Sequence, residues 1–363
     1  LSGNTGSYLT GGSVDAESVK VSSLTDLTSF SCTLGAAVGI STNARGEGGD
    51  AFENDIRSIL GQAELNNNSD GIENDLASSF MGRDSDNASL LGDSLALGEG
   101  SPVLQAGDGV AFDVGASIAR NAVDMSSKAI VEGCTVTTPG ELKVTAEDSS
   151  VITAVSVGAA FTNEKGLSVG AGGVFTFAPV SSTTEAAIRQ KTENAGQLDI
   201  SAGSLVLHAT DNHRERVWSF GGGYGETAGI GLVMTWGSFA GATTLALIEN
   251  VNATVGSGVD ILASSDLDTT YIAVGASASK GAAAVTGMLN YLNFNNQVIT
   301  DIKDSTLTIT DPHGDFKALS EGTRTFTDGF GDLSIRVGGK KPGAGIGGAL
   351  SFIYVGGNGA DDT

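Results

Sequence analysis

The feature that most constrains the fold is a repeat that keeps several markers at fixed offsets. Each copy contains an anchor, which is an apolar residue followed by a spacer and a small residue. A glycine-led triplet of small residues follows fourteen positions later in four copies, and an acid follows four or five positions later in all five. Such an array predicts stacked units that bury a shared core. The anchors are Val21, Val144, Leu207, Ile261 and Phe316, of which the last four are 63, 54 and 55 residues apart.

Within a copy the residues alternate with a period of two, which is typical of β-strands. In the third copy the two alternating faces differ in size. We expect the large residues to pack in the core and the small ones to form a second, flat face. The large face has Ala228, Ile230, Leu232, Met234 and Trp236, and the small face has Gly229, Gly231, Val233, Thr235 and Gly237.

These repeats predict an all-β fold, a parallel β-helix (β-solenoid) of about five irregular repeats of 54–63 residues. Each repeat is either one wide coil or about three narrow ones, and the constant fourteen-residue offset favours the wide coil. Glycine contributes 53 of the 363 residues, twice the usual share of ~7%, and proline only 5. Because glycine within a strand marks a close contact or bend, we expect closely approaching backbones.

One segment departs from this pattern. Between residues 44 and 100 the spacing of apolar residues becomes helical. Phe52, Ile56 and Leu60 recur every four residues in one predicted helix, and Leu76 and Phe80 do so in a second. We therefore divide the chain into a β-solenoid repeat at 1–43, an acidic, partly helical insertion at 44–109, and β-solenoid repeats at 110–363, all within one elongated domain. The insertion is interpreted as a loop that covers apolar surface, or as a capping or partner-binding element.

The net charge of −23 arises from 42 acidic and 19 basic residues. Such a surface repels nucleic acid, so we expect no nucleic-acid partner. No run of 18 apolar residues is present, and we expect no membrane insertion. The chain begins at Leu1 without a signal peptide, which indicates a mature or excised piece of a longer protein.

Several stretches resemble the leukotoxin-like filamentous adhesins of bacterial surfaces, whose repeats follow the pattern V-x-V-x-A-x-D…GGxA…GVGAA. The similarity covers roughly 15–43 and 110–355 and omits the insertion. The resemblance implies a secreted, extracellular or cell-surface protein with a β-helical shaft, acting in adhesion or cell damage through a host-cell or surface ligand. The matching stretches are Leu142–Asp148, Val157–Ala160, Leu167–Gly173 and Val274–Ser277.

Repeats continue to both ends of the chain, so we expect unpaired coil edges and self-association into an array or filament. The predicted function is a structural or adhesive, non-catalytic segment. The alternative is a glycan-active β-helix enzyme, a lyase or hydrolase, which would need carboxylates clustered on a groove.

Candidate chemistry is sparse. His208 and His213 flank Asp211 in the charged segment 211–216, which we interpret as a solvated turn because no third ligand has metal spacing. No G-x-S-x-G elbow occurs, and no sequence feature pairs a Ser or Cys with a His. Cys32 and Cys134 are either unpaired small core residues or a disulfide.

The acids at offset four or five form the remaining candidate site, and no other cofactor is predicted. In a wide coil they would stack ~4.8 Å apart and repel by ~3.5 kcal/mol per pair at an effective dielectric of ~20. Calcium bound in a ladder of Asp148, Asp211 and Asp266 would relieve this repulsion. The alternative is that the acids are solvated at a corner. A second calcium candidate, Asn66–Gly71, lacks the acid expected at the twelfth loop position.

Overall fold

The computed structural model describes residues 2–39, 110–162, 167–190, 196–281, 283–336 and 344–355. In these ranges every regular element is a β-strand, so the all-β class predicted from the sequence is confirmed. The fourteen strands are β1 (Ser2–Thr10), β2 (Ser13–Asp15), β3 (Val19–Gly39), β4 (Val110–Arg120), β5 (Val123–Glu132), β6 (Thr135–Thr162), β7 (Leu167–Arg189), β8 (Leu198–Gly225), β9 (Ala228–Glu249), β10 (Val251–Ser279), β11 (Ala283–Lys303), β12 (Thr306–Ile309), β13 (Asp315–Arg336) and β14 (Ala344–Val355).

The strands form two parallel sheets that lie face to face. Sheet 1 has the order β1-β5-β7-β9-β11-β14, and β4 also pairs with β7. Sheet 2 has the order β12-β10-β8-β6-β2, with β13 and β3 pairing with β10 and β6. From β6 to β11, consecutive strands alternate between the sheets. Side chains meet across the gap, as in the 2.9 Å hydrogen bond between the hydroxyls of Thr176 and Ser219.

Strand pairing in sheet 2 aligns the repeats recognised in the sequence. Consecutive repeats are direct neighbours over most of their strand length. The fifth anchor is displaced by two residues, because Ile261 pairs with Ala318 and not with Phe316. Four anchors share one register row, namely Val21, Val144, Leu207 and Ile261. The glycines fourteen positions later share another, namely Gly35, Gly158, Gly221 and Gly275.

Strand β9 overturns the expectation about which face forms the core. Its large residues Leu232 and Trp236 point outward and are 47% and 43% exposed, whereas Gly231 and Thr235 are buried between the sheets. The physical reason is that the sheets approach too closely here for large side chains to fit between them.

A row of glycines permits this close approach, and we call it the glycine seam. A Cβ atom on Gly172 would collide with the carbonyl oxygen of Gly222 in the facing strand, and one on Gly223 would collide with that of Ile230. The expectation of closely approaching backbones is thus confirmed. The seam comprises Gly35, Gly115, Gly158, Gly170, Gly172, Gly221, Gly223, Gly229 and Gly231.

Two apolar clusters fill the interior where the sheets are further apart. The first is aliphatic and contains the anchors Val144, Leu207 and Ile261. The second lies nearer the glycine seam and includes Phe239 and Phe294, whose rings stack with centroids 5.6 Å apart. Along β8 the two clusters are separated by the segment 211–215, where the candidate site lies.

The remaining predictions are settled only in part. Neither cysteine forms a disulfide, and only Cys134 is buried, so the core interpretation is wrong for the exposed Cys32. The insertion at 44–109, including the calcium candidate Asn66–Gly71, lies outside the described residues. Among the residues that the structure describes, none belongs to a helix long and apolar enough to cross a membrane.

Candidate functional site

The candidate site lies between the sheets and is built on β8. Alternation along this strand directs Asp211, His213 and Glu215 into the interior, where none is more than 3% exposed. The intervening Asn212, Arg214 and Arg216 point outward and are exposed. The interpretation of 211–216 as a solvated turn is therefore wrong. The segment continues the strand, and its alternate charges lie on opposite faces.

A second carboxylate reaches the site from the neighbouring strand. Asp148 on β6 is fully buried and lies directly opposite Asp211 in the parallel register. Asp266 does not join them, because it pairs with Asn212 and its side chain is exposed on the outer face. Of the predicted ladder, the structure thus brings together only Asp148 and Asp211. The other acids of the series, Asp26 and Glu321, are also exposed.

His213 completes the group of potential metal ligands. Its Nε2 lies 2.7 Å from Oδ1 of Asp211, and one ligand atom each from Asp148, Asp211 and His213 can be chosen within 4.8 Å of one another. Asp148 Oδ1 is buried without a hydrogen-bond partner among the described residues. Asp211 Oδ1 and His213 Nε2 are also buried, and their described polar contact is with each other. One unpaired carboxylate oxygen and one close aspartate–histidine contact therefore belong to the same buried group of potential ligands.

The other polar atom of two of these groups is held by a serine. Ser150 on β6 hydrogen bonds to Nδ1 of His213. Ser182 on β7, in the opposite sheet, donates a 3.1 Å hydrogen bond to Oδ2 of Asp148. The ring of Phe239 closes one side, with its centroid 5.9 Å from that of His213. The orientation of the imidazole and of the Asp148 carboxylate is thus fixed by residues from both sheets.

A buried pair lies next to these residues. The hydroxyl of Tyr271 on β10 donates a 2.6 Å hydrogen bond to Oε2 of Glu215, and both side chains are fully buried. Burial raises the pKa of Glu215 to about 8, although the Tyr271 hydrogen bond and the nearby His213 act in the opposite direction. Glu215 is therefore largely protonated at neutral pH.

Burial also affects the charge of Asp148. It raises the pKa of Asp148 to about 6, and the proximity of Asp211 adds to this effect. For His213, burial disfavours the charged form, but Asp211 above all, together with Asp148, outweighs burial and raises the pKa of the imidazole. The site thus concentrates anionic groups around one histidine, which favours a cation among them.

Ser150, His213 and Asp211 also have the connectivity of a hydrolase triad, since the serine and the aspartate bond to different ring nitrogens. The expectation that no serine pairs with a histidine is therefore wrong. All three side chains are at most 3% exposed, however, and the cleft described on the surface is lined by other residues, including Val123, Asp124 and Pro179. A triad sealed in this way gives a substrate no access.

Comparisons with protein-family models, curated proteins and solved structures found no match. The interpretation of the site accordingly rests on its own geometry.

The other histidines lie apart from the site. His208 is on the outer face of the same strand, where its Nε2 lies 3.0 Å from Oδ2 of Asp260. His313 is exposed in the connection between β12 and β13.

Sequence reasoning missed His213 and Glu215, although a signal was present in the offset from the anchor. Side chains at even offsets share the face of the anchor, which is buried. Asp211, His213 and Glu215 follow Leu207 by four, six and eight residues, whereas Asp266 follows Ile261 by five. The parity of the offset separates the buried acids from the exposed ones.

Proposed function

We propose that this chain is a β-solenoid segment of a large secreted bacterial surface or filament-forming protein, and that its role is structural or adhesive. Each pair of consecutive strands in the two sheets forms one coil of this solenoid. The observation that carries the proposal is the in-register pairing of consecutive repeats, as in the row of anchors from Val21 to Ile261. An array of this kind extends by adding coils, which suits a shaft.

The outer face of sheet 1 supports an adhesive role. Phe177, Trp236, Tyr291 and Phe352 occupy one register row across β7, β9, β11 and β14. Ring centroids are 6.1 Å apart for Phe177 and Trp236, and 5.3 Å for Trp236 and Tyr291. We call this set the aromatic row. Trp236 and Phe352 are exposed and Phe177 and Tyr291 are partly buried. Neighbouring aromatic groups on a surface are typical of contact sites.

A non-catalytic role is favoured over a glycan-active enzyme by the placement of the carboxylates. The described cleft includes one acid, Asp124. The paired acids Asp148 and Asp211 are sealed between the sheets. Glycoside hydrolysis needs two carboxyl groups that flank a bound sugar.

Electron microscopy of the 363-residue chain, together with sedimentation velocity over a range of concentrations, tests this proposal. We expect elongated, concentration-dependent assemblies, because strands at the sheet edges of the described residues and the aromatic row can both make contacts with another chain. Trp236→Ser should shift the sedimentation profile towards single chains. The matched control is Trp218→Ser, which removes a half-exposed tryptophan from the outer face of sheet 2. A compact monomer at every concentration would contradict the proposal.

A further inference from the structure

We propose that Asp148, Asp211 and His213 bind a divalent transition-metal ion between the two sheets, and that Zn²⁺ is the ion that fits best. The site would act as an internal cross-link between β6 and β8. This inference does not depend on an adhesive role for the chain.

The geometry of the buried ligand atoms supplies the first argument. Asp148 Oδ1 is buried without a hydrogen bond, and ligand atoms of Asp148, Asp211 and His213 already lie within 4.8 Å of one another. Zinc bonds to carboxylate oxygen and imidazole nitrogen are about 2.0–2.2 Å long, so ligand atoms of a tetrahedral site are separated by about 3.4 Å. The 2.7 Å contact between Asp211 and His213 would need to lengthen only slightly.

The serine contacts supply the second argument. A histidine that binds a metal through one ring nitrogen usually donates the other N–H to a fixed acceptor, and metal-binding carboxylates are themselves hydrogen bonded. Ser150 bonds to Nδ1 of His213 and leaves Nε2 directed at Asp211, while Ser182 bonds to Oδ2 of Asp148 and leaves Oδ1 without a hydrogen bond. Each serine therefore restrains the atom that a metal would not use.

Charge supplies the third argument. Two buried carboxylates in register on adjacent strands repel one another, and a single imidazolium can balance only one of them. A divalent cation balances both and leaves the imidazole neutral, as metal coordination requires. The site would then contain no uncompensated charge.

The ligand types distinguish zinc from calcium. Calcium takes six to eight oxygen ligands, whereas imidazole suits Zn²⁺ and its neighbours among the first-row transition metals. Exclusion of Asp266 from the site leaves two carboxylates and one imidazole at its centre. Calcium would need more ligands than these three, and it would need oxygen in place of the imidazole nitrogen. Zinc would need only one further ligand to become four-coordinate.

Because the site is sealed, metal has to be supplied while the chain folds. The 363-residue chain is refolded from denaturant in parallel with a chelator, Zn²⁺, Ca²⁺ or Mg²⁺, and excess ion is removed. Bound metal is measured by mass spectrometry of the elements, and the melting temperature by circular dichroism. We expect one zinc per chain and a higher melting temperature only after refolding with Zn²⁺. Retention of no zinc, or stabilisation by Ca²⁺ alone, would overturn the assignment.

Variants locate the bound ion. His213→Gln and the nearly isosteric Asp148→Asn should lose the zinc, whereas His208→Gln should retain it. His208 is the matched control because it lies on the same strand beside an aspartate but on the outer face. Ser150→Ala should bind zinc about 10- to 100-fold more weakly, as expected when the partner of a ligand is removed. Equal zinc content in folded D148N, H208Q and unmodified protein would overturn the site. If D148N does not fold, the zinc retained by the unmodified chain after refolding is the test, and retention of none would overturn the proposal.

Discussion

Asp148 and Asp211 lie directly opposite each other on neighbouring parallel strands, although 63 residues separate them in the chain. Both are buried, and His213 is in contact with the second. Such a group is costly to bury unless its charges are compensated. The group lies between the aliphatic and aromatic clusters, so we expect the stability of the fold to depend on its protonation.

The first prediction concerns pH. The pKa of Glu215 is raised to about 8 in the folded chain from an ordinary value of 4.5, so the folded state holds its proton over a wider range than the unfolded state. The contribution of Glu215 to the free energy of unfolding should therefore be fully present below pH 4.5. This contribution should be lost as the pH rises to about 8. The raised pKa values of Asp148 and His213 act with the same sign. The decrease attributable to Glu215 should be on the order of a few kcal/mol.

Chemical denaturation between pH 5 and 9 in the presence of chelator measures this decrease. Glu215→Gln should flatten the profile, because the amide remains uncharged throughout. Glu147→Gln, which changes an exposed carboxylate on β6, is the control and should leave the slope unaltered. A profile that is equally steep in E215Q would contradict the assignment.

The second prediction concerns the glycine seam. Gly172→Ala would place a methyl group against the backbone of Gly222, so the sheets would have to separate locally. We expect a loss of at least about 1–3 kcal/mol in the free energy of unfolding, as is typical of overpacked interiors. The adjacent Gly173→Ala meets only ordinary contacts, the nearest with Phe175 at 3.6 Å, and should be close to neutral. Denaturant titration of both variants makes the comparison, and equal losses would argue against a close approach at the seam.

The third prediction concerns Tyr271. Removal of its hydroxyl in Tyr271→Phe would leave the buried Glu215 without its donor. Because an unsatisfied buried group costs about 1–3 kcal/mol, thermal or denaturant unfolding should show a loss of that size. Tyr291→Phe, in the aromatic row on the outer face, should have little effect. A neutral Y271F would indicate that Glu215 is satisfied by another group.

The fourth prediction concerns the thiols. Cys32 is exposed and Cys134 is buried, and burial also raises the pKa of the Cys134 thiol. One thiol per folded chain should react rapidly with a maleimide, and two should react after denaturation, because the thiolate is the reactive form. Cys32→Ser should abolish the rapid reaction. Two unreactive thiols in the denatured, unreduced protein would instead show a disulfide.

The sequence by itself determined the local structure and the alignment of the repeats. Period-two alternation specified the strands, and the constant offset from anchor to glycine triplet specified which residues of successive repeats become neighbours. Val144 and Leu207, like Gly158 and Gly221, pair as these offsets predict. Such information is local, because a side-chain pattern and a repeat length need no knowledge of the opposite sheet.

Only the tertiary structure decided which face is inside and which charges meet. Leu232 and Trp236 lie outside because the distance between the sheets, which no single strand encodes, leaves room only for glycine and other small residues at the seam. Asp148 meets His213 because strand stacking brings residues 65 positions apart into contact with the same interior volume. The parity of the offset could have placed both side chains in the interior, but their orientation depends on Ser150 in the same sheet and on Ser182 in the opposite one.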